Sequence, residues 1–298
     1  MEWWQTAVIY QIYPRSFADA NGDGIGDLAG VKSRLYYLRQ LGIDAIWFNP
    51  WYLSPQKDGG YDVADYFQID PRLGTLADAR ELIAAAWAEG IRIIVDLVPN
   101  HVSDQHRWFQ EALRAGPGSA ARNRFWFRPG RGPAGEVPPN NWKSSFGGPA
   151  WTRVPDGEWY LHLFAPEQPD LNWNDPEVAA EFADVMRFWL DLGVAGFRVD
   201  SATMGAKNPA LPDLTGPPDS YASGEHPIYD RDDVHRTYRN WRRLVDEYPG
   251  EPRILVGEVW LGDQSRVSRY LRPDEMHTVF NFELLNQPWD ARALRDSI

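Results

Sequence analysis

Three times along the chain, apolar residues at helical spacing are followed by a glycine and then by a short, continuously apolar run. Val31, Leu35 and Leu38 share one helical face, Gly42 stops the helix, and residues 43–48 follow. Leu76, Leu82, Ile83 and Ala86 repeat the pattern; Thr75 opens it with Asp78 three residues on, and Gly90 closes it before residues 91–96. In the third copy Asp175 caps, Pro176 takes the first helical position, and Val178, Phe182, Val185 and Trp189 form the buried side. Gly193 then precedes residues 194–199. The strands are apolar throughout rather than alternating, so they are expected to be buried on both faces of a parallel sheet.

Further strands are expected at residues 8–13, 254–257 and 277–282, which brings the number of βα-type strands to six. An α/β fold follows. The (β/α)8 TIM barrel is favoured, incomplete at about six units, with a doubly wound sheet as the structural alternative. Residues 101–174 break the rhythm, being rich in Gly, Pro, Asn and Trp, and read as a subdomain inserted after strand three. The expected division is therefore 1–100 for barrel strands one to three, 101–174 for the insert, and 175–298 for strands four to six.

Composition narrows the function. The net charge of −12, from 30 basic and 42 acidic residues, leaves no basic run to neutralise phosphates, so no nucleic-acid partner is expected. There is no cysteine, which excludes thiolate chemistry and disulfides. No apolar run of membrane-spanning length and no leader pattern occur, so a cytoplasmic, membrane-free protein is expected. The 15 Trp, 13 Tyr and 13 Phe would suit a cleft for sugar rings, although most such rings serve as core.

Three strand ends concentrate the chemistry. Arg198 and Asp200 lie two apart, so both point to the same face, where the guanidinium keeps the carboxylate ionised as a nucleophile must be. Glu258 ends the next strand above Ile254, Leu255 and Val256, and an apolar setting of that kind raises a carboxyl pKa as a general acid requires. Two carboxyls pushed in opposite directions suit a retaining glycosidase, in which they stand about 5–5.5 Å apart. Asp96, Asn100 and His101 add polar groups at the end of strand three, with Pro99 restricting the turn. No zinc-ligand spacing accompanies them. Residues 19–27 place oxygen donors at alternate positions: Asp19, Asn21, Asp23, the Ile25 carbonyl and Asp27, with Gly24 at the turn. This matches most of a calcium loop, although position twelve is Gly30 rather than Glu. Calcium is the expected ion, magnesium the alternative, and a metal-free Asx-turn loop the competing reading.

Gln11-Ile12-Tyr13-Pro14-Arg15-Ser16-Phe17, residues 96–101, 196–200 and 257–260 together resemble the α-amylase family of glycoside hydrolases, most closely its α-glucosidase and oligo-1,6-glucosidase branch. The resemblance runs along essentially the whole chain. It implies Asp200 as nucleophile, Glu258 as general acid/base and Arg198 as the nucleophile's partner. It further implies that Asp62, Tyr66, Asp96, His101, Phe164 and Gln168 line the sugar pocket, with Tyr66 as stacking platform. Gln168-Pro169-Asp170-Leu171-Asn172 resembles the motif of exo-acting members that work on short oligosaccharides, and residues 19–27 correspond to the family's metal loop. Ser201 in place of a valine favours α-1,4 over α-1,6 linkages. The family's His-Asp pair after strand seven has no counterpart before Ile298, nor do the last strands and the C-terminal β-sandwich. The expected activity is that of a retaining α-glucosidase acting on small oligosaccharides. The alternatives are a transglycosylase or isomerase of the trehalose synthase or sucrose isomerase type, and a non-catalytic glucosidase-like scaffold.

Overall fold

The computed structural model describes residues 1–217 and 220–298. Its strands are β1 (Ile9–Ile12), β2 (Ala45–Phe48), β3 (Tyr52–Leu53), β4 (Asp65–Ile69), β5 (Arg92–Leu97), β6 (Phe127–Pro129), β7 (Trp151–Arg153), β8 (Glu158–Leu161), β9 (Gly196–Val199), β10 (Ile254–Gly257) and β11 (Thr278–Val279). Six of them form one sheet in the order β1-β2-β5-β9-β10-β11, every pair parallel. Each new strand is added to the same edge, with no reversal of order, so the doubly wound alternative is excluded. The sheet curls strongly. Trp47 on β2 and Phe280, just beyond β11, bring their rings within 5.4 Å across the interior, and Arg198 of β9 lies 5.0 Å from the Trp47 ring. The result is a partial barrel of six strands.

The helices form where the apolar spacing places them. Leu76–Ala88 begins with a capping box between Thr75 and Asp78, and buries Ala79, Leu82, Ile83 and Ala86. Pro176–Asp191 is capped by Asp175 and buries Val178, Phe182, Val185 and Trp189. The first expected helix is two, Leu28–Ser33 and Leu35–Gln40, because the Arg34 N–H bonds to the Val31 carbonyl and tightens the joint. Val31, Leu35 and Leu38 remain buried on one side. The sixth strand is also shorter than expected. Only Thr278 and Val279 pair, after which the Asn281 side chain accepts from the Leu284 N–H and starts helix Phe282–Leu285.

At Gly196 β9 approaches β10 so closely that a Cβ would lie 2.1 Å from the Ile254 carbonyl oxygen. A side chain there would push apart the strand that carries Arg198.

The segment 101–174 contains a three-stranded antiparallel sheet in the order β6-β8-β7. Trp126, Trp142, Trp151, Leu161 and Leu163 form a second apolar cluster around it. Met204, Leu211 and Ile228 complete that cluster, and Asn141 donates to the Leu214 carbonyl while Arg131 pairs with Asp213. The segment following β9, placed by sequence within the second barrel part, therefore packs on the insert. Among the described residues no helix is long and apolar enough to cross a membrane.

Candidate active site

The barrel strands bring their C-terminal ends together around Arg198. Register pairs Arg198 with Asp96 on one side and Val256 on the other. Its Nη1 donates to Asp96 Oδ1 at 2.9 Å and to Asp200 Oδ1 at 2.6 Å, and its Nη2 meets Glu258 Oε2 at 2.8 Å. One buried guanidinium thus joins three carboxylates from three strand ends. Burial works against its charge, but Asp96, Asp200 and Glu258 outweigh that effect and hold its pKa above the ordinary arginine value.

The carboxyls are not equivalent. Burial, and secondarily the charge of Asp200, raises Glu258 above the ordinary glutamate pKa against the opposing pull of Arg198. Its Oε2 accepts the Ser201 N–H at 2.7 Å and its Oε1 the Trp260 indole N–H at 3.0 Å. Asp96 is fully buried, and burial pushes it up to about 7 although Arg198 pulls the other way. Its Oδ2 accepts from the Trp47 indole and the Tyr61 hydroxyl, both at 3.2 Å. Asp96 therefore faces Arg198 and these two aromatic donors.

His101 is held at both ring nitrogens. Asn100 Nδ2 lies 3.1 Å from Nδ1, and Nε2 donates to the Tyr61 carbonyl at 3.2 Å. Burial lowers its pKa to about 4, so the ring is neutral near pH 7. The Phe164 ring lies 5.0 Å away, and Gln168 reaches from the insert to donate to Asp58 Oδ2 at 2.9 Å. Behind this layer the fully buried Lys207 pairs with Asp170 Oδ2 at 2.9 Å and donates to Asn100 Oδ1 at 2.8 Å.

Two expected pocket residues lie elsewhere. Tyr66 is a core residue on β4: its hydroxyl donates to the Val98 carbonyl and its ring packs on Tyr52 and Phe182. Asp62 is wholly buried and bonds the Ser54 hydroxyl and the N–H groups of Lys57 and Asp58, which shapes its own loop. Their places at the site are taken by Asp58, bonded to Gln168, and by Tyr61, bonded to Asp96 and Asn49. The sequence signal for these two is the Gly59-Gly60 pair between them, whose positive φ values of 58° and 108° turn the chain there. Arg198, Asp200, Glu258, Asp96, His101, Phe164 and Gln168 do converge.

In the loop of residues 19–27, Asp19 accepts the N–H groups of Asn21, Gly22 and Gly24, Asn21 that of Asp23, and Asp23 that of Ile25. These backbone bonds lower the Asp19 pKa, the Gly24 bond most. Asp27 accepts from Ala20 and caps Leu28–Ser33 through Gly30. Among the described residues, no group of three or more His, Cys, Asp or Glu is arranged to hold a metal. Any ion in this loop would depend on the Asn21 amide and the Ile25 carbonyl as well as the acids.

The α-amylase catalytic-domain family matches residues 11–295. The chain belongs to that family. It is 43% identical over 314 residues to an α-glucosidase of Culex pipiens, covering 100% of this chain and 53% of the mosquito protein. It is 46% identical over 287 residues to the trehalose-6-phosphate hydrolase of Escherichia coli, covering 95% and 50%. A trehalulose synthase from Pseudomonas mesoacidophila superposes with a TM-score of 0.90 at 38% identity, over 100% of this chain and 54% of the other. A variant of that synthase has been solved with sucrose, its substrate. The chain spans about half the length of the curated relatives it matches. Members of the family thus act on several α-glucosidic substrates.

Proposed function

We propose that the protein is a retaining α-glucosidase that removes terminal non-reducing glucose from short oligosaccharides. The observation that carries this reading is the single Arg198 fork, which bonds Asp200 through Nη1 and Glu258 through Nη2. Carboxyls sharing one guanidinium fit the separation of about 5–5.5 Å that a double displacement uses. Asp200 attacks the anomeric carbon while Glu258 gives its proton to the departing oxygen. Glu258 then takes a proton from water, which releases glucose from the Asp200 ester. Asp58, Tyr61, His101, Phe164 and Gln168 hold the ring. Ser201 favours α-1,4 over α-1,6 linkages, which relative rates on maltose and isomaltose test.

Hydrolysis of p-nitrophenyl α-glucoside tests the central claim. Turnover that falls below about one part in a thousand in Asp200→Asn supports it, on the usual scale of nucleophile loss. Turnover that survives the substitution refutes it. The likeness to a trehalulose synthase favours a second reading, transfer to a sugar hydroxyl instead of water. Product analysis at high sugar concentration distinguishes the two. We propose calcium, with magnesium as the alternative, as the ion of the loop at residues 19–27. It would be held by Asp19, Asn21, Asp23, the Ile25 carbonyl and Asp27, and would supply structural cross-linking of the first βα connection. A cytoplasmic location completes the proposal, and cell fractionation tests it.

A further inference from the structure

A cleft of about 820 Å³ opens beside Glu258; Asp200 is not among its lining residues. This inference rests on the glycosidase reading, in which the side reached by the proton of Glu258 and not by Asp200 is where the departing sugar sits. The walls come mainly from the segment after β9 and from the turn after β10. They offer sugar-sized aromatic faces, Tyr221, Tyr229 and Trp260, and Trp260 is braced by stacking on Phe282 at 3.5 Å.

The charge on these walls is one-sided. Asp230 and Asp263 line the cleft against one cation among the described residues, Arg266, while Glu258 holds its proton there as the acid of the reading above. Arg266 is already spent. Its Nε donates to Asp230 Oδ2 at 2.6 Å, its Nη2 to the Asp230 carbonyl at 2.7 Å, and Nη1 and Nη2 both reach Asp232 Oδ1 at 3.1 Å. Tyr270 fixes the other oxygen of Asp230 at 2.7 Å. His226 also lines the cleft, but burial and Arg231 lower its pKa, so it adds no charge at neutral pH.

A phosphoryl group would bring about two negative charges here and, among the described residues lining the cleft, would find no unpaired guanidinium or ammonium to receive them. We propose that this cleft selects an uncharged leaving sugar and rejects one that carries phosphate. The point separates this chain from its trehalose-6-phosphate hydrolase relative, which 46% identity by itself does not.

Binding is measured on Asp200→Asn, which stops turnover and leaves every cleft side chain in place. Tryptophan fluorescence is followed on titration with maltose, trehalose and trehalose 6-phosphate. Neutral disaccharides should bind at least about tenfold more tightly than the phosphorylated one, since like charges meet across the cleft. Equal or tighter binding of trehalose 6-phosphate overturns the inference and leaves the glycosidase reading intact. No binding of any of the three to a folded chain overturns the glycosidase reading, and the inference with it. Asp263→Asn keeps a helix-capping side chain and removes one wall charge, so the gap should narrow at least twofold. An unchanged gap would show that wall charge is not the cause.

Discussion

The backbone N–H of Ser201 donates to Oε2 of Glu258 at 2.7 Å, and Ser201 makes that bond from the left-handed region at φ 44°. A residue beside Asp200, the proposed nucleophile, thus holds Glu258, the proposed acid/base, through its main chain, at a conformation a non-glycine residue rarely adopts. Ser201→Gly accepts that φ without strain and should keep both the rate and the pH profile. Ser201→Pro has no N–H and requires φ near −65°, so activity should fall about a hundredfold, the scale of losing one positioned donor. The Ser201 bond lowers the Glu258 pKa, so its loss should move the basic limb of kcat/KM to higher pH. An unmoved limb in an active proline variant would contradict the link.

Lys207 and Asp170 are both fully buried and paired at 2.9 Å. Lys207→Met leaves Asp170 charged without its partner, which should cost about 3–5 kcal/mol of stability. Adding Asp170→Asn removes the stranded charge and should recover part of the loss. Urea unfolding of the two single variants and the double variant measures the coupling. Strict additivity would mean the pair does not act as one unit.

His106 precedes helix Arg107–Ala115, and its Nδ1 accepts the Trp108 N–H at 3.2 Å. Burial, assisted by Arg107, lowers its pKa to about 4. The unfolded chain therefore binds the proton first, and stability present above pH 6.5 is lost as pH falls towards 4. At pH 5 this amounts to about 2 kcal/mol. His106→Asn retains a capping side chain and removes the titration. The stability difference between pH 7 and pH 5 should shrink in that variant, as read from urea melts at both pH values. Curves parallel to wild type would refute the assignment.

Removal of divalent ions should lower the melting temperature if residues 19–27 hold calcium, because an ion bound only to the folded state stabilises it. Calcium should restore the original value, and Asp23→Ala should abolish the response. A melting temperature unchanged by chelator would eliminate the metal. The backbone bonds accepted by Asp19, Asn21 and Asp23 would then be the whole function of that loop.

The repeated helix, glycine and apolar strand determined most of the fold, because burial on both faces leaves a periodic trace in sequence. Arg198 and Asp200 were legible for a related reason: residues two apart on a strand must face the same way. Glu258 was legible as a carboxyl at the end of an apolar strand. Tertiary structure alone decided which residues of the segment from β3 into β4 reach the site. Asp58 and Tyr61 do, whereas Asp62 turns back to its own loop and Tyr66 enters the core. Side-chain direction there is set by Gly59 and Gly60 at positive φ and by partners about 110 residues away, such as Gln168. The same holds for the segment after β9, whose Met204, Leu211 and Ile228 complete the core of the insert. A loop has no period, so its inward residues are chosen by distant contacts that form only when the chain folds.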